Sequence, residues 1–176
     1  GERHDYILIA AGSGITPMLS IAKTVLAHEP DSTITLIYGN RTTDAIMFRE
    51  ELEDLAFRHI NGAAYKTVTA RLAEVVDRNK GVIEEIEKTL SKVFEKYAIV
   101  ATVRSRQKKP WSVFSKMETK GLSFEQLSDI FGFRVLVDTV EDCYRALGAI
   151  HTSWSMVPGR FKDYISTPKQ NDYRSI

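Results

Sequence analysis

Glycines at 12 and 14, with Ser13 between them and Thr16-Pro17 behind, separate an apolar run from a helical pattern. Backbone without side chains at such a point lets N–H groups approach a phosphate, and the start of the following helix adds positive potential. Pro17 replaces the last glycine of a GxGxxG pattern. Spacing alone therefore leaves two readings open, a nucleotide-binding loop or a tight strand-to-helix turn with no ligand. Arg41, just after the next apolar run, could meet a ribose phosphate or simply face water.

A second constellation is cationic. Residues 104–120 hold Arg104, Arg106, Lys108, Lys109, Lys116 and Lys120 against Glu118 alone. Arg106, Lys108 and Lys116 fall on a predicted strand exit and the helix after it, and Asp129 closes the next short helix. Phosphoryl transfer needs cations around a polyphosphate and a carboxylate for Mg²⁺. A basic run is equally an ordinary solvated face, and a lone Asp an ordinary cap. Further on, Lys162, Lys169 and Asn171 accompany Tyr164 and Tyr173, which could stack on a base or belong to a polar loop with core tyrosines. His4, His28, His59 and His151 show no metal-ligand spacing and read as structural or exposed. Cys143 stands alone, which excludes an internal disulfide and a Cys-rich zinc site and suits a reducing, cytoplasmic compartment.

These residues need elements to hold them. Tyr6–Ala10 and Thr33–Tyr38 read as buried strands, with a helix between them marked by Met18, Ile21, Ala22 and Val25. Thr16 suits that helix's N-cap and Pro17 its first turn. A charged helix is predicted from about Met47 to Phe57. Tyr65, Val68, Leu72, Val75, Val82, Ile86, Leu90 and Val93 mark a long amphipathic helix that Gly81 could interrupt. Ala98–Val103 reads as a strand, Trp111–Met117 as a helix, and Ser123 with Gln126 as a capping box. Phe131–Val137 is a strong strand, and Val140, Cys143, Tyr144, Leu147 and Ile150 define a helix behind Thr139.

The composition is globular: 43% hydrophobic, 27% charged and 10% aromatic residues exclude a disordered or fibrous chain. The net charge of +1 hides an asymmetry, because residues 1–60 carry five basic and nine acidic side chains and the remainder is basic. No apolar run is long enough to span a membrane, and no signal peptide is read. No nucleic-acid motif is present, and nucleotide phosphates account better for the basic cluster. A chain that begins at Gly1 and stops at Ile176 is expected to be a fragment.

The segments ILIAAGSGITPMLSIAKTVL and ITLIYGNRTTDAIMFREELEDL, about residues 5–54, resemble the NAD(P)-binding domain of ferredoxin reductase-like flavoenzymes. The resemblance implies a pyrophosphate cradle at Gly12, Gly14, Thr16 and Pro17, and a ribose site near Gly39 and Arg41. The flavin-binding parts of such reductases are absent, so the resemblance does not imply a working reductase.

The segments TVRSRQKKPWSVFSKM, SFEQLSDIFGFRVLVDTVEDCYRALGAIH and VPGRFKDYISTPKQNDYRSI resemble the synthetase domain of the RelA/SpoT family, from about residue 49 onward. Those enzymes of the stringent response are GTP pyrophosphokinases: they move pyrophosphate from ATP to the 3′-hydroxyl of GTP or GDP, making (p)ppGpp. The resemblance implies ATP-phosphate contacts from Arg106, Lys108, Ser112 and Lys116, and Mg²⁺ on Asp129. It assigns Lys162, Lys169, Asn171 and Tyr173 to the acceptor guanosine nucleotide, with Tyr173 stacked on guanine. Ser105 and Ser115 depart from the family's usual Gly and Arg or Lys. The family's following His-Thr and its later strand with a catalytic glutamate lie beyond the sequence, so turnover is not expected of this chain alone.

REELEDLA, residues 49–56, fits both families. The expected organisation is therefore a chimera: residues 1–48 as a partial reductase-like segment and 49–176 as a truncated synthetase domain. The expected fold is α/β locally and α+β overall. A partial Rossmann-like β-α-β-α start leads through a long helix to a truncated nucleotidyltransferase-like mixed sheet with flanking helices.

Overall fold

The apolar run after His4 forms β1 (Asp5–Ala11), and the β-branched run after Ser32 forms β2 (Thr33–Gly39). In the computed structural model, which describes residues 3–127, 129–168 and 174–176, the two strands pair in parallel from Asp5↔Thr33 to Ala11↔Gly39. The helix between them, α1 (Ile15–His28), makes the crossover that a parallel pair requires. Gly12 ends β1 at φ +50°, in the left-handed region where a side chain would be strained.

Helix α1 starts two residues earlier than its sequence suggests. Gly14 is the N-cap, without a side-chain hydrogen bond, and Thr16 and Pro17 lie inside the first turn. Pro is tolerated there because first-turn N–H groups have no intrahelical acceptor. The buried stripe is Ile15, Leu19 and Ala22, whereas Ile21, which the periodicity put inside, is exposed. Strand β1 buries Ala10 and half-buries Tyr6 and Leu8. Its other face shows Ile7 at 70% and Ile9 at 69% exposure, so among the described residues no second helical layer of the kind a complete doubly wound sheet has covers it.

Glu29, just past α1, ties this unit together. It accepts the Tyr6 hydroxyl on both oxygens (3.1 and 2.9 Å), and on Oε2 also Ser32 Oγ (2.8 Å), with His4 Nδ1 at 3.2 Å. The Ser32 hydrogen bond, then that of Tyr6, holds its carboxyl below the usual glutamate range. A depressed folded-state value means the tether is intact above the unfolded glutamate's range and is lost as pH falls through the folded value. Protection of the β1 and β2 amides, after division by their intrinsic exchange rates, is therefore expected to fall as pH drops below the ordinary glutamate range. Glu29→Gln should show lower protection at neutral pH and lose that acid dependence; an unchanged acid profile in the variant would assign it to another group.

The charged helix is α2 (Arg49–Ile60), entered through Phe48 at φ +58°. Its Phe57 is buried, with its ring 5.8 Å from Tyr65 and 5.4 Å from Trp111. Asp54 accepts the Trp111 N–H at 3.0 Å, an acidic cap on the first turn of α4 (Pro110–Lys120). The long helix α3 (Gly62–Lys96) runs unbroken through Gly81.

The chain divides into two compact units, Gly1–Thr67 with Lys109–Ser112 and Val68–Lys108 with Val113–Ile176. The second is built on β3 (Thr102–Gln107) and β4 (Phe131–Leu136), antiparallel from Thr102↔Leu136 to Gln107↔Phe131. Among the described residues this sheet is an antiparallel pair rather than mixed, and it is separate from the β1–β2 sheet. The strand expected at 98–103 begins only at Thr102, because Ala98 at φ +51° turns the chain out of α3 and Ile99 is buried. TVRSRQ has poor strand propensity, and pairing with the strongly β-forming FGFRVL overrides it.

Val68 and Leu72 of α3 pack with Val113, Phe124, Leu127 and Ile130. Leu90 and Phe94 pack with Ile99 and with Ala146 and Ala149 of α5 (Val140–Ser153). Val82, between the two clusters, is 53% exposed. Ser123 and Gln126 form the expected capping box, around a 3₁₀ turn at Phe124–Gln126. Thr139 caps α5, its hydroxyl accepting the Asp142 N–H at 3.1 Å. Among the described residues, no helix is long and apolar enough to cross a membrane.

Candidate functional site

Strand β3 and helix α4 converge on one carboxylate. Lys108 leaves β3 with its N–H bonded to the Ile130 carbonyl at 3.0 Å, which extends the β3–β4 ladder by one step. Asp129 precedes Ile130, past the end of the 3₁₀ turn rather than closing it. Lys116 comes from α4, one turn beyond buried Val113. The apolar cluster of Val113, Leu127 and Ile130 thus fixes two of the backbone segments that carry the polar groups.

Each Asp129 oxygen has its own lysine. Lys108 Nζ donates to Oδ2 at 2.5 Å and Lys116 Nζ to Oδ1 at 2.5 Å. The Lys108 hydrogen bond, then that of Lys116, holds the Asp129 carboxyl at about 2. The group is ionised at any physiological pH, and the cluster carries a net positive charge. Lys116 is 21% exposed while Lys108 and Asp129 are 39% and 37% exposed, so both lysine heads are within reach of a ligand from solvent.

Charge-assisted contacts of this kind suit an anion with several oxygens. The donor set also fits Mg²⁺ in one way. Among the described residues, no group of three His, Cys, Asp or Glu could hold a metal, so Asp129 offers a single hard oxygen ligand site. Mg²⁺ commonly takes one or two carboxylates and completes its shell with water and substrate phosphates. Asp129 fits a metal that arrives with a polyphosphate, not a protein-only cage.

The other residues singled out by sequence lie as follows. Arg106 is exposed on β3, opposite Gly132. Ser112 sits one turn before Lys116 on α4, within the residues of the first unit. Lys162 is exposed in the loop after α5. Lys169, Asn171 and Tyr173 lie outside the described residues. Sequence reasoning missed Glu87 of α3, whose Oε1 accepts the Ser105 N–H at 2.6 Å and closes the outer edge of β3. Its signal was an acid on the helix preceding a basic strand.

In the first unit, Ala11, Gly12, Gly39, Asn40, Arg41 and Ala45 line a cleft of about 440 Å³ at the carboxyl ends of β1 and β2. That is where open parallel sheets bind ligands. The structure brings Gly12, Gly39 and Arg41 together; Gly14, Thr16 and Pro17 form the helix start and are not part of the lining. The Tyr38 hydroxyl donates to the Gly12 carbonyl at 3.0 Å and accepts the Met47 N–H at 3.3 Å, which pins the glycine turn. Asn40 Nδ2 is buried without a hydrogen-bond partner among the described residues. Tyr38 and Asn40 were the residues that glycine spacing alone did not flag.

Comparison with known proteins returns both resemblances. The model of the region found in RelA/SpoT proteins matches residues 105–176, and that of the oxidoreductase NAD-binding domain matches residues 8–107. A GTP pyrophosphokinase rsh of Brucella ovis is 76% identical over 128 residues, 73% of this chain and 17% of that protein. One from Brucella melitensis is 75% identical over the same share of each chain. A GTP pyrophosphokinase of Streptomyces coelicolor is 42% identical over 126 residues, 72% of this chain and 15% of the relative. The chain thus spans less than a fifth of the length of these relatives. An alignment of 128 residues cannot avoid part of the stretch that the NAD-binding model also claims. The fold decides what that overlap means: residues 62–96 are one continuous helix, with no third parallel strand in the described structure.

Proposed function

We propose that the second part of the chain, where the model of the RelA/SpoT region matches residues 105–176, is the donor-nucleotide site of a (p)ppGpp synthetase, joined to a first part that belongs, through residues 8–107, to the oxidoreductase NAD-binding domain family. The reaction is that of a GTP pyrophosphokinase, transfer of pyrophosphate from ATP to the 3′-hydroxyl of GTP or GDP. The observation that carries this reading is Asp129, gripped oxygen by oxygen by Lys108 and Lys116.

In this reading Lys108 and Lys116 exchange their carboxylate for the ATP polyphosphate, with Arg106 and Ser112 contributing from β3 and α4. Asp129 would be the residue to hold Mg²⁺, which would supply neutralising charge at the phosphate oxygens. Lys162 serves the acceptor GTP or GDP, together with Lys169, Asn171 and Tyr173. Catalysis by such groups is positioning and charge stabilisation of an in-line attack. The domain reading places residues 1–48 with the reductase-like segment and 49–176 with the synthetase, their seam inside α2. The partners are nucleotides, and the lone half-buried Cys143 suits the cytoplasm.

A calorimetric titration of the chain with ATP tests the donor site. We expect saturable one-to-one binding that Mg²⁺ strengthens; no heat with or without Mg²⁺ would overturn the reading. A second reading rests on the β1–β2 cleft. The buried Asn40 donor without a partner, beside Gly12 and Arg41, favours NAD(P) as ligand there. Enhanced NADPH fluorescence that Arg41→Ala abolishes would support it, and no change in that fluorescence on mixing would remove it.

A further inference from the structure

Lys162 lies between two attachments to α5. Before it, Phe161 sets its ring against His151, with centroids 6.0 Å apart and planes at 62°. After it, Asp163 Oδ2 accepts the Tyr144 hydroxyl at 3.1 Å. Tyr144 and His151 are seven residues apart, two turns along one face of the helix. The other Asp163 oxygen, Oδ1, accepts the N–H groups of Ile165 at 2.8 Å and Ser166 at 2.9 Å, closing an Asx-type turn. Tyr164, inside that turn, donates its N–H to the Ser175 carbonyl at 2.8 Å. These bonds, led by the Ser166 amide, hold the Asp163 carboxyl below the ordinary aspartate range. Both its oxygens are thus committed to the protein, while Lys162 beside it is exposed.

We infer that Asp163, hitched to α5 by Tyr144, is a positioning residue that fixes the backbone of Lys162 for the phosphates of the acceptor guanosine nucleotide. The inference rests on the proposed acceptor role of Lys162. An ammonium on a tethered backbone loses less freedom on meeting a phosphate than one on a free loop. Asp163 therefore acts through Lys162, without touching nucleotide or metal.

Three substitutions separate this role from direct ligation. Asp163→Asn keeps an oxygen for the Ile165 and Ser166 amides and an amide against the Tyr144 hydroxyl. Asp163→Ala removes the turn, and Tyr144→Phe removes only the hitch. GDP and ATP are titrated calorimetrically into the full chain and each variant, and amide exchange is followed at Ile165 and Ser166. We expect Asp163→Ala to weaken GDP binding about tenfold and to speed exchange at both amides, with ATP affinity kept. Tyr144→Phe should weaken GDP binding about threefold, and Asp163→Asn should restore near-native affinity. Lys162→Met should lose GDP affinity with exchange unchanged. Loss in Asp163→Asn equal to that in Asp163→Ala would mark the carboxylate charge as the ligand and overturn the inference. Faster exchange with native GDP affinity would reduce the anchor to a structural one and also overturn it. If the unsubstituted chain binds ATP but no GDP, the acceptor reading fails first and the positioning role falls with it.

Discussion

Replacing both Lys108 and Lys116 by methionine is expected to lower ATP affinity by about a hundredfold, since each charge-assisted contact to a phosphate contributes about 1.5 kcal/mol or more. Methionine keeps most of the apolar stem and removes the ammonium. The fold should survive. Asp129 is 37% exposed, so water replaces the lost partners, and exposed ion pairs contribute about 1 kcal/mol or less each. Lys120→Met, at the end of the same helix, is the control for general charge and should bind ATP almost as the unsubstituted chain does. Calorimetry on the variants, with circular dichroism to check folding, reads the outcome. Native ATP affinity in the folded double variant would show that the Lys–Asp–Lys cluster is an ordinary surface ion-pair network.

Leu72→Ala should cost about 2–5 kcal/mol of stability, the range for deleting a buried leucine side chain and leaving a cavity. Leu72 is 1% exposed and packs in the cluster that includes Val113, Leu127 and Ile130. That cluster seats Ile130, next to Asp129, and Val113, one turn before Lys116. Domains are stable by only about 5–15 kcal/mol, so the loss is a large fraction of the total. The site should loosen with it, and ATP binding should weaken without any change to a charged residue. Val82→Ala, on the same helix but 53% exposed, should cost about 0.5 kcal/mol or less. Denaturant unfolding of the two variants measures the contrast, and equal losses would contradict the placement of the core.

The polar cluster was legible because residue type carries it. Lys108, Lys116 and Asp129 were named from spacing and resemblance, and the fold brings their charged ends together. Local periodicity also located most elements, including the unbroken α3 and the Thr139 cap of α5. The strand was expected too early because Ile99 and Ala101 are apolar for packing in the cluster with Ala146 and Ala149 of α5 rather than for pairing, while Val100 beside them is exposed. Only the partner strand β4 reveals that TVRSRQ is the paired segment. Thr16 was misplaced as a cap because Gly14, with no side chain to offer, occupies the N-cap after a left-handed Gly12. The hitch from Tyr144 to Asp163 and the bond from Ser105 to Glu87 join residues 19 and 18 positions apart, beyond any local pattern. Resemblance placed the join of the two families within residues 49–56, and the structure shows those residues as the first two turns of α2.

The most direct test of the central claim is thermal unfolding of the purified chain with Mg²⁺, scanned against ATP, GTP, NADH and NADPH. A ligand that binds only the folded state raises the midpoint, by about 2.7 kcal/mol of added stability at a hundred times its Kd. A nucleoside-triphosphate site built on Lys108, Lys116 and Asp129 predicts a rise with ATP that the Lys108→Met/Lys116→Met variant loses. A rise with NADH or NADPH and none with ATP would contradict it and move the functional centre to the Gly12–Arg41 cleft.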